Sequence, residues 1–244
     1  MMKITVVTPS FNQGQFIERT IQSVLTQSIS SLEYYVEDGA STDNTVNILK
    51  KYSDQLFCSS EKDTGQANAI NKGFKKATGD IIGWLNSDDL YYPNTLSTVI
   101  SFFEKYNEID FLYGQANHID SDDKVINQYR TEPWDLKRLT QRCYLSQPAV
   151  FFRRRVFDKI GYLDESLRYC MDYEYWLRAG TQGLTFFYLP TLLAATRLHK
   201  DAKTVRQSVA AHREQLKMIL KYRPHPSLRM WAAYLYARAT DWVR

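Results

Sequence analysis

The sequence predicts an α/β protein with a mostly parallel central sheet, helices on both faces of the sheet and a helical extension at the C-terminus. Short apolar runs rich in β-branched residues alternate with helical patterns within about the first 85 residues, and the connections between them are short. Connections of this kind place successive strands parallel to one another. Polar or acidic residues follow the first, second and fourth strands, so we expect a ligand site at one edge of the sheet.

The elements of the first half follow directly from these patterns. The predicted strands are residues 3–8, 32–36, 56–58 and 81–85. Apolar residues at helical spacing predict helices at residues 16–25, 45–52 and 67–77. After residue 106 the pattern predicts strands at 110–119, 125–130, 148–152, 184–189 and 192–198. The acidic segment 120–124 is interpreted as a solvated hairpin tip.

The turn after the fourth strand is the main candidate for chemistry. It reads Asn86-Ser87-Asp88-Asp89, and Pro93 and a helical pattern follow at once. Carboxylate oxygens suit Mg²⁺ or Mn²⁺, and such ions are held by one or two carboxylates together with substrate phosphates. The residues therefore indicate a metal–diphosphate site. A plain turn is the alternative, because Asn, Ser and Asp all favour turns.

Composition excludes several classes of protein. Of 244 residues, 44% are hydrophobic and 24% charged, which fits a globular chain rather than a disordered or fibrous one. Three widely spaced cysteines do not form a disulfide framework or a cysteine-based zinc site. The N-terminus enters a strand without a signal-peptide pattern, and no apolar run is long enough to span a membrane. We therefore expect a cytoplasmic protein.

The net charge of +4 is unevenly distributed. Residues 197–244 contain 11 Lys or Arg and 3 Asp or Glu, so the rest of the chain is acidic. Two amphipathic helices, separated by Pro224 and Pro226, are predicted there, with Val205 and Trp242 on their apolar faces. We expect them to pack on the domain or on a second copy of the chain. Peripheral contact with the inner face of the plasma membrane is a second hypothesis, and no nucleic-acid partner is predicted.

Two nucleotide-binding motifs are absent from the sequence. No Gly-x-Gly-x-x-Gly follows the first strand, and no Gly-x-x-x-x-Gly-Lys-Ser/Thr occurs. The turn after the first strand, at residues 9–14, also lacks Lys and Arg. A nucleotidyltransferase, which needs a basic, Gly-rich loop for a triphosphate, is therefore a weaker alternative.

Four segments in a fixed order carry a family resemblance. They are ITVVTPSFN at residues 4–12, EDGASTDNT at 37–45, GQANAINKG at 65–73 and LNSDD at 85–89. Together they resemble the family 2 glycosyltransferases with the Rossmann-like GT-A fold, which include bacterial enzymes of polysaccharide biosynthesis. The resemblance is dense over about the first 90 residues and resumes near Asp172.

The resemblance implies roles for individual residues. Those matching the nucleotide-binding positions are Thr8, Pro9, Ser10, Asp38, Asp63, Gln66, Asn86 and Ser87. Asp88 matches the metal ligand that bridges to the diphosphate, with Asp89 as its support or as a contact to the sugar. His199 is a second candidate ligand for Mn²⁺ or Mg²⁺, and Arg197 and Lys203 are alternative partners for the diphosphate. Asn86 departs from the family pattern, which has Asp, and an amide is a poorer metal ligand.

Asp172 is the candidate general base. It precedes an aromatic helical pattern, and the resemblance implies that it deprotonates the acceptor hydroxyl. A helix N-cap is the structural alternative, worth about 1 kcal/mol. The usual Glu before this Asp is Met171 here, and Glu174 is an alternative base that points about 200° round the helix.

The prediction is thus an inverting, metal-dependent glycosyltransferase. It uses a nucleoside-diphosphate sugar, taken as a UDP-sugar, and a hydroxyl of a glycan or lipid-linked acceptor. A nucleotide-sugar-binding module without activity is the second alternative. Residues 1–106 would bind the donor, residues 107–202 would carry the base and face the acceptor, and residues 203–244 would form basic helices.

Overall fold

A computed structural model describes residues 2–199, 209–222 and 228–241. The strands are β1 Ile4–Ser10, β2 Leu32–Asp38, β3 Phe57–Ser60, β4 Ile81–Trp84, β5 Leu90–Tyr91, β6 Phe111–Ile119, β7 Val125–Gln128, β8 Val150–Arg153 and β9 Phe186–Arg197. The helices are α1 Ile17–Leu25, α2 Thr45–Lys51, α3 Gln66–Lys76, α4 Thr95–Lys105, α5 Leu136–Leu139, α6 Val156–Ile160, α7 Met171–Thr181, α8 Val209–Tyr222 and α9 Leu228–Asp241. A 3₁₀ turn, Gln147–Ala149, precedes β8.

One sheet joins all of these strands, in the order β3-β2-β1-β4-β8-β6-β9-β5, with β7 paired to β6. The first four strands are parallel, as predicted from their alternation with helices. Beyond β4 the sheet is mixed, because β8 is antiparallel to both β4 and β6. The carboxyl ends of β1, β2 and β4 therefore meet at one edge, next to the 3₁₀ turn that leads into β8.

Apolar clusters cover both faces of the sheet, which confirms the predicted layers. Neighbouring strand residues point to opposite faces, so Ile82 packs in a cluster with α3, α7 and α8. Ile81 packs in the other cluster, with α1, α2 and α4. The division of the chain at residues 106 and 202 stays a prediction.

The two strands predicted at 184–189 and 192–198 are a single strand, β9. Pro190 suggested a break, because proline cannot donate to the sheet. The chain instead bulges there, since Tyr113 pairs with Tyr188 but Gln115 pairs with Leu192. The short strand β5 had no sequence signal and exists because it pairs with β9.

The predicted C-terminal extension is present as α8 and α9. Helix α8 packs on the domain and buries Leu216, Met218 and Ile219. Helix α9 leaves Trp231 and Leu235 exposed. Lys203, Val205, Pro224, Pro226 and Trp242 lie outside the described residues. Among the helices that the structure describes, none has the length and apolar character needed to cross a membrane.

Glu33 makes the stability of this fold depend on acid pH. Its buried carboxylate accepts hydrogen bonds from Lys3 (2.8 Å), Thr5 (2.6 Å) and the Thr78 amide (2.8 Å). Burial alone would raise the pKa of Glu33, but these hydrogen bonds outweigh burial and lower the pKa to about 2. Because the folded-state pKa is depressed, this stabilisation is complete above about pH 4.5 and is lost as the pH falls towards 2.

We expect Glu33→Gln to lower the free energy of unfolding at pH 7 by roughly 2–3 kcal/mol. The variant should also lose part of the acid dependence of stability between about pH 4.5 and 2. Urea denaturation across this pH range measures both effects. Glu61→Gln, at an exposed position, is the matched control. Parallel pH profiles for Glu33→Gln and the wild type would contradict the assignment.

Candidate active site

A cleft of about 600 Å³ opens at the edge where β1 and β4 end. Ten predicted site residues line it: Pro9, Ser10, Asp63, Gln66, Asn86, Ser87, Asp88, Asp89, Asp172 and His199. Residues separated by more than 160 positions in the sequence, such as Pro9 and Asp172, therefore share one cavity. The volume is in the range of ordinary small-ligand sites.

Two predicted nucleotide-binding residues, Thr8 and Asp38, are not part of the lining. Thr8 is fully buried, with its hydroxyl 3.1 Å from that of Tyr34. The Asp38 carboxylate is also buried and accepts hydrogen bonds from Ser41 and Ser60. Asp38 holds the loop after β2 and Thr8 links β1 to β2, and direct contact of either residue with a nucleotide stays a prediction.

The end of β1 and the turn after it place one polar and one apolar side chain at the cleft. The Ser10 hydroxyl is buried and has no hydrogen-bond partner among the described residues, although Ser10 lines the cleft. Phe11 is 60% exposed on the cleft rim, which is unusual for so large an apolar side chain. A Cβ at Gly39 would lie 2.6 Å from the Asp63 carboxylate and 3.4 Å from the Phe11 ring, so glycine allows both to approach. Sequence reasoning missed Phe11, whose signal was an aromatic residue inside a polar turn.

Asp88 and His199 form the candidate metal-binding pair. The Asp88 Oδ2 atom lies 3.0 Å from His199 Nε2, and the two side chains are 20% and 8% exposed. The ring of Phe16 packs on the imidazole at 4.7 Å between centroids. No cluster of three or more His, Cys, Asp or Glu suited to a metal occurs in the part of the chain that the structure describes. One carboxylate and one imidazole fit Mg²⁺ or Mn²⁺ if diphosphate oxygens and water complete the ligand set.

Asn86 is the centre of a hydrogen-bond network, which explains why it is not Asp. Its Oδ1 atom accepts from Gln66 (2.8 Å) and Trp84 (2.9 Å). Its Nδ2 group donates to the carboxylate of Asp89 (3.2 Å) and to Gln147 (2.9 Å). A carboxylate could make only the accepting half of these contacts. Asn86 therefore shapes the site and has no amide proton left for other partners.

Asp89 lies behind Asp88 and is 2% exposed. It accepts hydrogen bonds from Asn86 and from the backbone N–H of Arg197. Burial, and then the charge of Asp88, raise the pKa of Asp89 well above its usual range. This position fits the predicted role of support for Asp88 better than a contact to the sugar.

Arg197 lines the cleft, but its guanidinium is bonded within the protein and is not a free cation. Its guanidinium is fully buried and donates to the carbonyl oxygens of Asp88 (2.8 Å) and Asp120 (2.7 Å). It also pairs with Asp123 at 2.5 Å, as Arg19 does at 2.9 Å. The hairpin tip is exposed at residues 122–124, as predicted, and Arg197 also ties it to the Asn86–Asp89 turn. Two arginines from other elements pair with its Asp123.

We expect Asn86→Asp to lower the free energy of unfolding by about 2 kcal/mol. The new carboxylate oxygen would face the accepting oxygens of Asp89 and Gln147 with no hydrogen between them. The new carboxylate would also lie beside Asp88 and Asp89, which adds like-charge repulsion. Thermal unfolding measures the change. Asn47→Asp, at an exposed amide, is the matched control. An unchanged melting temperature for Asn86→Asp would show that the network contributes little.

Asp172 lies in the first turn of α7 and lines the cleft. The N-cap position is Cys170, so the structure does not place Asp172 as the cap. Burial is the main cause of the raised pKa values of Cys143 and Tyr129, and the nearby Asp172 charge adds to both. The alternative base Glu174 is outside the lining, buried and bonded to Arg178.

Other cleft residues had no sequence signal. Gln147 donates to the Trp84 carbonyl (2.6 Å) and accepts from Asn86, which joins the 3₁₀ turn to the Asp88 motif. Ala211, His212 and Gln215 of α8 also line the cleft. These contacts link segments far apart in the chain, so no local pattern could reveal them.

Comparison with known proteins identifies the class. The model of the family "Glycosyl transferase family 2" matches residues 5–161, and the chain belongs to this family. An uncharacterized glycosyltransferase of Rickettsia typhi is 29% identical over 219 residues, which cover 84% of this chain and 67% of that protein.

Solved structures with similar folds are those of glycosyltransferases with the GT-A fold. One is S. aureus TarS residues 1–349 in complex with UDP-GlcNAc, with a TM-score of 0.74 and 20% identity over 91% of this chain and 68% of that one. Another is the mannosyltransferase PcManGT from Pyrobaculum calidifontis with GDP-Man and Mn²⁺, with a TM-score of 0.70 and 17% identity over 98% and 69%. The chain thus spans about two thirds of the length of each of these proteins.

Proposed function

We propose that this chain is an inverting, metal-dependent glycosyltransferase that uses a UDP-sugar and a hydroxyl acceptor. The sugar would be a hexosyl or N-acetylhexosaminyl group, and the acceptor a glycan or lipid-linked oligosaccharide of polysaccharide biosynthesis. One observation carries the proposal: the Asp88–His199 pair and Asp172 line the same cleft at the carboxyl ends of parallel strands. The complex of TarS with UDP-GlcNAc supports the choice of donor.

The first half of the chain would bind the donor. Phe11 offers an exposed aromatic face on which a nucleotide base can stack. The Ser10 hydroxyl and the Asp63 carboxylate supply polar contacts beside it. Gln66 and Asn86 are bonded to each other, so their positions on the cleft wall are fixed before the ligand arrives.

Asp88 and His199 would hold the divalent metal, together with the donor diphosphate. When bound, the metal supplies positive charge that stabilises the leaving diphosphate. Asp89, Asn86 and Arg197 keep Asp88 in place through the hydrogen bonds described above. The bound Mn²⁺ of PcManGT supports this assignment.

Asp172 would act as the general base. Its carboxylate accepts the proton of the acceptor hydroxyl as the acceptor oxygen forms a bond to the anomeric carbon. The bond from that carbon to the diphosphate oxygen breaks on the opposite side, and the electron pair leaves with the diphosphate. A single displacement of this kind inverts the anomeric configuration.

A thermal-shift screen tests the proposal. UDP, GDP, UDP-GlcNAc, UDP-glucose and GDP-mannose would each be tested with and without Mn²⁺, since a ligand that binds the native state raises the melting temperature. We expect a metal-dependent shift with UDP and at least one UDP-sugar. A shift with guanine nucleotides alone would contradict the UDP assignment, and no shift with any nucleotide would contradict the whole proposal.

Release of UDP from the best donor distinguishes the enzyme from a binding module. An enzyme of this class should transfer the sugar to a supplied acceptor or slowly to water. Binding without any UDP release would favour the module.

A further inference from the structure

Helix α8 is bonded to the backbone directly before the helix that carries Asp172. The Glu214 carboxylate accepts from three consecutive backbone N–H groups, those of Arg168 (2.9 Å), Tyr169 (2.7 Å) and Cys170 (3.0 Å). The thiol of Cys170 donates to the same carboxylate at 3.2 Å. One carboxylate thus satisfies three consecutive backbone N–H groups of the turn that leads into α7.

The C-terminal end of α8 is fixed to α7 as well. Tyr222 donates to Glu174 at 2.5 Å, and Met218 and Ile219 are buried in the same apolar cluster as Met171. Helix α8 is therefore held by Glu214 to the turn before α7 and by its C-terminal end to α7 itself.

The position of Glu214 on α8 matters because the adjacent residues face the cleft. Ala211, His212 and Gln215 line it together with Arg168, Tyr169 and Asp172. The segment held by Glu214 is consequently part of the cleft wall, two residues from the candidate base.

We propose that Glu214 is a positioning residue for glycosyl transfer, which fixes the turn 168–170 and thereby the direction of Asp172. This inference rests on the proposed function, in which Asp172 is the base. Helix α8 then completes the acceptor side of the site, as well as adding stability to the fold.

The charge of Glu214 suits this role. Burial by itself raises the pKa of Glu214, but the hydrogen bonds from Arg168, Tyr169 and Cys170 outweigh burial and lower the pKa. The carboxylate is therefore ionised at neutral pH, and it lies at a helix N-terminus, where the aligned peptide dipoles favour negative charge.

The test is steady-state release of UDP from UDP-GlcNAc in the presence of Mn²⁺, using the full chain. Another UDP-sugar replaces it if the nucleotide screen favours that donor. We expect Glu214→Ala to lower kcat about tenfold or more, since small displacements of a reacting group are costly. The KM for the donor and the Kd for UDP with Mn²⁺ should stay within twofold of the wild-type values. Glu214→Gln keeps one accepting oxygen and should lose less activity than Glu214→Ala.

Tyr222→Phe is the control, because it removes a hydrogen bond between the same two helices but leaves the turn 168–170 held. It should lower the melting temperature with kcat within twofold of the wild type. Equal losses of kcat in Tyr222→Phe and Glu214→Ala, or wild-type kcat in Glu214→Ala, would overturn the inference.

Two further measurements keep the test decisive. If Glu214→Ala does not fold, then Glu214→Gln with unchanged kcat and unchanged amide exchange at residues 168–170 overturns the inference. Wild-type turnover in Asp172→Asn would refute the proposed role of Asp172 as the base. That result is distinct from active Glu214 variants beside an inactive Asp172→Asn, which would refute only the role of Glu214.

Discussion

Replacement of Asp172 by asparagine is expected to lower kcat for sugar transfer about 10²–10⁴-fold, the range that a general base contributes. The amide keeps the size and polarity of the side chain but cannot accept the acceptor proton at neutral pH. The donor side of the cleft is assigned to residues 9–89 and His199, so the Kd for UDP with Mn²⁺ should not change. Release of UDP measures the first effect, and titration calorimetry with UDP measures the second.

Asp158→Asn, at an exposed carboxylate of α6, is the matched control for Asp172→Asn. It should behave as the wild type in both measurements. Wild-type kcat in Asp172→Asn would remove this residue as the base. Weakened UDP binding in the same variant would instead place Asp172 on the donor side.

Replacement of Asp88 by alanine is expected to abolish the metal-dependent part of donor binding and to lower kcat/KM about 10²–10³-fold, as loss of one strong electrostatic contact to a transition state does. Removing Asp88 leaves His199 without its partner at 3.0 Å, and a single imidazole is a poor site for Mg²⁺ or Mn²⁺. Titration of Mn²⁺ in the presence of UDP measures the loss.

Asp122→Asn also removes one negative charge, on the exposed hairpin, and serves as the control for Asp88→Ala. Its response to Mn²⁺ should match that of the wild type. If Asp88→Ala retains full metal-dependent binding of UDP, the metal is held elsewhere or is not used for donor binding.

The family resemblance and the parallel half of the sheet were predictable because their signals are local. A β-branched run forms a strand, and the polar residues after it must lie at the carboxyl end of that strand. Since the first four strands are parallel, the turns after β1 and β4 meet at one edge of the sheet. Ser10, Asn86 and Asp88 could therefore be placed in one site from the sequence alone.

Local signals were insufficient where tertiary contacts decided the outcome. Pro190 suggested two strands, but pairing with β6 keeps β9 continuous through a bulge. The acidic hairpin tip is exposed at residues 122–124, as predicted, but its pairing with Arg19 and Arg197 through Asp123 had no local signal. In both cases the partner lies more than 70 positions away in the chain, beyond the reach of any local pattern.

The sequence by itself thus determined the layers of the fold, the family and the edge of the sheet where the site lies. Only the tertiary structure decided the arrangement inside the site. Asn86 acts as a network centre because Gln66, Asp89 and Gln147 converge on it. The turn before Asp172 is held by Glu214, 44 to 46 residues further along the chain. Hydrogen bonds of this kind depend on distance and direction between packed elements, and neither quantity is encoded in the spacing of residues along the sequence.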